Sequence, residues 1–255
     1  MAKPALCILA NGKDNAEKTA SKLRELHGDH SIENADIIVP VGGDGFILET
    51  MRRYYRTEKP FYGVNCGTVG FLMNSADPET LGERIENAES VRIHPLIMRA
   101  QTSDGREVTA RAINEVSLFR QTRQSAKIKI SVNGKVRMES LTCDGILLAT
   151  PAGSTAYNLS AHGPILPIGA DLLALTPISA FRPRRWKGAL LPAEAEVTFT
   201  VLERGARPIS AVADNEEVRD VVAVTAKSDP SVGMTLLFDQ GQSLDERILR
   251  EQFEN

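Results

Sequence analysis

Cysteine is scarce in this 255-residue chain, and the three present, Cys7, Cys66 and Cys143, are widely separated. They form no C-x-x-C pair and no zinc-finger spacing, which excludes a disulfide framework and a thiolate metal site. The simplest reading is reduced thiols in a cytoplasmic protein, serving as small core hydrophobes. Long hydrophobic runs are also missing: none approaches the roughly 18 residues that a membrane helix needs. The opening "MAKPALCILANGKD" has too short an apolar run for a secretory signal and reads as a first strand. Charge of one sign is lacking as well, with 30 Lys and Arg against 33 Asp and Glu for a net −3. No global field therefore draws nucleic acid or an anionic membrane, and neither is expected as a partner. Neither G-x-G-x-x-G nor G-x-x-x-x-G-K-[ST] occurs, and there is no internal repeat or low-complexity tract. A phosphate, if bound, must be bound by other local groups.

What is present is an ordinary globular composition, 42% hydrophobic and 25% charged, enough for one large domain or two modest ones. The first third alternates strand and helix. "ALCILA" reads as a strand. "DNAEKTASKLRELHG" reads as a helix with Ala16, Ala20, Leu23 and Leu26 at helical spacing and Gly28 as the stop. "ADIIVPV" and "PFYGVN" are further strands, "FILETMRRYYR" is a helix, and "ADPETLGERIENAE" is another, capped by Asp77 ahead of Pro78. Strands separated by helices imply parallel pairing in a doubly wound α/β unit. From about Val91 the period changes to alternation, as in "REVTARAINEVSLFR", "KIKISV" and "KVRME", with hairpin signals at Asn133-Gly134 and Ser103-Asp104-Gly105. The expected fold is thus an N-terminal α/β domain followed by a mostly antiparallel, sandwich-like β-domain. The expected boundaries are residues 1–90 for the first domain and 91–235 for the second. A C-terminal helix, "SLDERILREQF", has nothing β to pair with, and the C-terminal segment of about 236–255 is expected to return to the first domain.

Three segments carry chemistry. In "ADIIVPVGGDGFILET" an apolar strand stops at Gly42-Gly43-Asp44-Gly45 and a helix begins at once. That is where α/β sheets bind ligands, and the unpaired N–H groups of a helix N-terminus suit phosphate. The plain structural alternative is a tight turn with Asp44 as the helix cap. The second segment, "CDGILLATPAGSTAYNLSAHGPILP", holds Asp144, Thr150, Ser154, Thr155, Tyr157, Asn158, Ser160 and His162 between the small residues Ala152, Gly153 and Ala156. So much polarity and glycine fits a ligand-contacting loop running into a short helix, or else a solvated turn. The third is Asn114-Glu115, an amide and a carboxylate adjacent within "RAINEVSLF", where a strand would point them to opposite faces. The basic run of Arg182, Arg184, Arg185 and Lys187 beside Trp186 reads as a surface or subunit-contact loop, or else as a cluster that contacts phosphates or stacks on a base.

GGDG after an apolar strand, Asn65-Cys66-Gly67-Thr68-Val69-Gly70-Phe71-Leu72, Asn114-Glu115 and the DG…TPxGSTAYxLSAxGPI run occur in an order that resembles the NAD kinase family of bacterial type. GGDG alone is shared with lipid kinases and phosphofructokinases; the long threonine-rich motif separates the chain from them. The resemblance implies transfer of the γ-phosphoryl group of ATP to the 2′-hydroxyl of the adenosine ribose of NAD, giving NADP and ADP. It implies Asp44 as the catalytic carboxylate and Gly45 as a backbone contact to NAD; the position of Gly42, Gly43 and Gly45 at the helix start makes them the expected phosphate-binding turn. It further implies Asn114 and Glu115 as the NAD-binding pair and Asp144 as a second acidic contact. The run Thr155, Ala156, Tyr157, Asn158, Leu159 and Ser160 would enclose adenine and ribose, with Ala152 as a further nucleotide-binding residue. Asp214, followed here by Asn215 rather than a small residue, matches a late family motif. Mg²⁺, or another divalent cation, is implied as the companion of ATP, and a homodimer or homotetramer as the assembly. A ribose hydroxyl is a poor nucleophile, so a carboxylate must orient it and take its proton. A non-catalytic NAD sensor is the rival reading, against which the presence of Asp44 counts.

Overall fold

In the computed structural model, which describes residues 3–67 and 70–241, the first apolar run forms strand β1 (Leu6–Ala10). Helix α1 (Asp14–His27), strand β2 (Ile37–Gly42), helix α2 (Asp44–Tyr54), strand β3 (Val64–Asn65), helix α3 (Leu81–Glu86) and strand β4 (Glu89–Ile93) follow. β1, β2 and β3 form a parallel sheet, with Leu6 opposite Ile37 and Val41 opposite Val64. Every residue of β2 is buried, as a strand of a parallel sheet covered on both faces must be. α1 buries Ala16, Ala20 and Leu23 against this sheet and stops at Gly28, whose φ of 80° lies in the left-handed region. Leu26 departs from expectation and is 47% exposed. At about 100° per residue it falls well off the stripe that Ala16, Ala20 and Leu23 share. Asp77 is likewise one turn early. Its carboxylate accepts the Glu79 N–H (3.2 Å) and the Thr80 hydroxyl (2.8 Å), heading a turn from which α3 starts only at Leu81.

The β-rich part comprises β5 (Leu96–Thr102), β6 (Glu107–Ala112), β7 (Glu115–Arg120), β8 (Ala126–Val132), β9 (Lys135–Cys143) and β10 (Gly145–Ala149). A 3₁₀ turn (Ala152–Thr155) and the one-turn helix α4 (Tyr157–Ser160) follow. Then come β11 (Leu172–Ile178), β12 (Ala189–Pro192), β13 (Val197–Val201), β14 (Ile209–Ala213), β15 (Glu216–Val218) and β16 (Val221–Ser228). They make two six-stranded antiparallel sheets, in the orders β6-β5-β16-β13-β8-β9 and β12-β11-β10-β7-β14-β15. Their apolar faces meet in one cluster that includes Met98, Leu118, Ile128, Ile146, Phe199 and Val224, the sandwich arrangement that alternating strands favour. Asn133 and Gly134, with φ of 50° and 73°, form the two-residue turn between β8 and β9. The run "REVTARAINEVSLFR" is not one strand. It breaks at Ile113–Asn114, and β6 and β7 lie in different sheets. The alternation reads as continuous because both strands turn even-numbered residues, Ala110 and Ala112 then Val116 and Leu118, into the same cluster.

β17 (Met234–Phe238) pairs with β4, and Phe61 bridges to Leu236. Just beyond, buried Asp239 accepts from the Tyr62 hydroxyl and from both Nε and Nη2 of Arg84. The Asn74 amide completes this knot, donating to Leu237 O (2.9 Å) and accepting the Asp239 N–H (3.0 Å). By internal contacts the chain divides into two units: one of Met1–Ile93, Pro167–Gly169 and Val232–Asn255, and one of His94–Leu166 and Ala170–Ser231. The helix expected in "SLDERILREQF" lies outside the described residues. Among the described residues, no helix is long and apolar enough to cross a membrane.

Candidate functional site

In the first unit the glycine-rich turn sits at the carboxyl end of β2. Gly43 is the N-cap of α2 with an extended backbone and no side-chain cap, and Asp44 is the first helical residue. The Asp44 carboxylate reaches beyond its own helix. It accepts the backbone N–H groups of Phe71 (2.8 Å) and Leu72 (3.0 Å), tying the GGDG turn to the segment that ends the second glycine motif. At that motif's start, the Asn65 side chain accepts the Gly67 N–H (2.9 Å) and Cys66 N–H donates to Gly42 O (2.7 Å); Thr68 and Val69 lie outside the described residues. A Cβ at Gly42 would come within 2.9 Å of the Asn11 amide and 3.1 Å of Phe46 Cβ, so these side chains close over it tightly. Gly43 and Gly45 have no such neighbour, and a Cβ on either would point into open space. Beside them is a cavity of about 580 Å³ lined by Asn11, Gly12, Lys13, Gly42, Gly43 and Cys66, among others. It lies where β1, β2 and β3 end, as ligand sites of parallel sheets do. Sequence reasoning missed the β1–α1 loop. The available signal was Asn11-Gly12-Lys13 directly after an apolar strand, with Gly12 at φ 77°.

In the second unit the site is built on the strand break. The carboxylate of Asp214 accepts the N–H groups of Ile113 (2.8 Å), Asn114 (2.9 Å) and Glu115 (3.3 Å). Asp214 occupies the two-residue turn between β14 and β15 at φ 51°, and its neighbour Asn215 is exposed. The Asn114 Oδ1 and Glu115 Oε2 atoms are buried and have no hydrogen-bond partner. Burial, and secondarily the charge of Asp214, pushes the Glu115 carboxyl up to about 7. Two orphan acceptors on adjacent residues are what a ligand bearing hydroxyl or amino donors could satisfy.

The loop after β10 docks on the same break. The Thr150 hydroxyl donates to Ile113 O (2.7 Å) and accepts the Gly153 N–H (3.0 Å). Gly153 passes so close that a Cβ would lie 2.1 Å from Asn114 O. Ser154, fully buried, donates to Pro151 O (2.7 Å) and accepts the Leu166 N–H (2.9 Å). Asn158 differs from expectation. It is fully buried, donates to Ser154 O and Pro164 O, and accepts the Thr176 hydroxyl (2.6 Å), so both amide hydrogens are spent on holding the loop. Thr155, Ala156 and Leu159 are half-buried, Ala152 is buried, and Ser160 and His162 are exposed. Tyr157, 38% exposed, leans on Phe119 with ring centroids 5.7 Å apart. Asp144 lies at the far end of β10 from Glu115. It precedes β10, whereas Glu115 pairs with Ala149 at the other end, about 17 Å along at some 3.3 Å per residue. There it accepts from Arg120 Nε (2.6 Å), a partner not anticipated.

Comparison with known proteins gives a consistent result. The chain matches the model of the ATP-NAD kinase N-terminal domain over residues 7–92 and that of the ATP-NAD kinase C-terminal domain over residues 113–224. It is 58% identical over 248 residues to the NAD kinase of Hyphomonas neptunium, covering 97% of each chain. It is 56% identical over 248 residues to that of Caulobacter vibrioides, covering 97% of this chain and 95% of the relative. Yeast NADH kinase, solved in complex with NADH, superposes with a TM-score of 0.81 at 18% identity, covering 98% of this chain and 88% of that one.

Proposed function

The chain belongs to the NAD kinase family, and from that premise we propose how its residues divide the reaction. The activity itself is ATP-dependent phosphorylation of NAD to NADP, with the γ-phosphoryl group passing to the 2′-hydroxyl of the adenosine ribose. Asn114 and Glu115 receive NAD. The observation that carries this assignment is their pair of buried, unpartnered acceptor atoms, which NAD hydroxyl and amino donors would satisfy. Ala152, Thr155, Ala156, Tyr157, Leu159 and Ser160 form the wall for adenine and ribose, held in place by Asn158. Asp144, paired with Arg120, contacts a part of the dinucleotide remote from Glu115.

In the first unit, Asp44 orients the acceptor hydroxyl and takes its proton as the oxygen bonds to the γ-phosphorus and ADP leaves. The cavity beside Gly42 and Gly43 receives the donor phosphates, with Lys13 as the nearby cation and the α2 N–H groups, Gly45 among them, as donors. Among the described residues, no group of three or more His, Cys, Asp or Glu could hold a metal. The oxygen atoms of Asn11 and Asp14 at the cavity fit a divalent cation carried by the phosphates themselves, which would neutralise their charge. Homo-oligomer formation is supported by the edge strand β12, where Leu190 is 51% exposed, and by Phe181, 49% exposed beneath Arg182 and Arg184. A cytoplasmic location suits the substrates and three unpaired thiols.

The test is product formation by purified protein with Mg²⁺, NAD or NADH, and ATP or polyphosphate in turn. NADP from NAD and ATP is expected. Binding of NAD without any product would leave a sensor and sink the assignment of Asp44.

A further inference from the structure

We propose that Asp214 is a positioning residue for NAD recognition, holding the break between β6 and β7 in the one form that presents Asn114 and Glu115 to the dinucleotide. The inference rests on the reading of Asn114 and Glu115 as the NAD-binding pair. At Ile113–Asn114 the chain leaves one sheet for the other, and a chain in transit loses its ladder partners. The N–H groups of Ile113, Asn114 and Glu115 would be orphaned there, and all three converge on Asp214 at 2.8–3.3 Å. Only a side chain with several acceptor sites can serve three donors, and a carboxylate has them. Asp214 reaches them from a left-handed position (φ 51°) in the β14–β15 turn, a conformation that Asp and Asn adopt more readily than other non-glycine residues. Its own N–H returns to Glu115 O (3.2 Å), so the clamp closes on both sides of the same residue.

The clamp has an electrostatic consequence. Across from Glu115 on β10 is Ala149, and β10 carries no titratable side chain from Gly145 to Ala149. The turn Ala152–Thr155 carries none either. On β15, Glu216 and Glu217 are exposed. Arg111, four residues earlier on β6, is paired with Asp229 (2.8 Å). The charge that acts on Glu115 is that of Asp214, added to burial. Asp214 thus holds the Glu115 backbone in place and adds to the upward push that burial gives its carboxyl.

The experiment measures NAD and ATP dependence from pH 5.5 to 9 for the wild type, Asp214→Asn and Glu115→Gln. Asparagine keeps the left-handed turn but replaces one acceptor oxygen by an NH₂ group and removes the charge. In the wild type, NAD affinity should fall as pH drops through about 7. In Asp214→Asn, KM for NAD should rise on the order of 10-fold or more while KM for ATP holds, and the midpoint of the pH dependence should move down. An unmoved midpoint, or KM values that rise together, would overturn the proposal. If Glu115→Gln keeps the wild-type pH profile, the reading of Glu115 as the NAD acceptor falls. If Glu115→Gln flattens the profile while Asp214→Asn leaves the midpoint in place, the role of Asp214 alone falls. Should Asp214→Asn not fold, amide exchange on the wild-type protein decides. Slow exchange at Ile113 and Asn114 supports the clamp, and exchange as fast as in an exposed turn rules it out.

Discussion

Asp44 and Glu115 are carboxylates placed in opposite ways. Asp44 sits at the first turn of α2 with an N–H donor on each oxygen; Glu115 keeps one oxygen buried with none. Replacing Asp44 by Asn should therefore do two things. Turnover should drop by a factor on the order of 10²–10⁴, the range for loss of a general base, while NAD still binds. Stability should also fall by about 1–3 kcal/mol, because an amide NH₂ would face the Phe71 or Leu72 N–H. Near-normal turnover in a folded Asp44→Asn protein would remove Asp44 from the chemistry. Glu115 gives a prediction of stability instead. With its carboxyl raised from 4.5 to about 7, its contribution is complete below the ordinary value and is lost as pH rises through about 7. Above that pH the fold must carry a charge that the unfolded chain carries freely. Glu115→Gln should accordingly melt higher than the wild type at pH 8, by the equivalent of about 1–3 kcal/mol, and the gain should shrink toward pH 5. Thermal melts at the two pH values check this, and a pH-independent difference would contradict it.

The element that matters most is the loop from Thr150 to Leu166, which has little regular structure and is held instead by buried side chains. Thr150, Ser154 and Asn158 each bond to backbone, and Gly153 lets the loop lie against Asn114. Gly153→Ala would put a methyl group into contact with backbone O, C and Cα of Asn114 at 2.1–2.6 Å. Backbone cannot rotate away as a flexible side chain can, so the loop or the strand break must shift. The expected outcome is a loss of about 1–3 kcal/mol in stability together with weakened NAD binding. Calorimetry checks the second part. Unchanged NAD affinity in Gly153→Ala would mean that the loop and the Asn114–Glu115 pair do not serve one ligand.

At the scale of the whole molecule, the chain builds its first unit from separated stretches. The sheet of β1, β2 and β3 is local, but β4 waits for β17, some 140 residues later. Asp239 fastens that return through Arg84 and Tyr62. Asp239→Ala would leave a largely buried guanidinium without its partner, a change that typically costs about 3–5 kcal/mol. Hydrogen exchange should then show protection lost along β4, β17 and Phe61, and retained in β7, β10 and β14, which belong to the other unit. Loss that spread evenly over both units would show that they unfold as one.

Some of this was settled by sequence alone. Buried apolar runs separated by helical periods fix an α/β first unit, and alternation with Asn133-Gly134 fixes antiparallel hairpins, because these patterns follow from contacts a few residues apart. The glycines at residues 42–45 likewise place a candidate site at a strand end. The partners of the site's charges were not legible. Asp44 meets Phe71 and Leu72, and Asp214 meets a strand break about 100 residues away. The break itself was hidden, since alternation continues unbroken when the chain passes between two sheets that share one core. Asn158 read as a ligand contact because its residue type and neighbours suit one. Burial alone reveals that Ser154, Pro164 and Thr176 already occupy it. Local periodicity records which face a residue turns inward. Which distant group waits on that face is decided only when the sheets close.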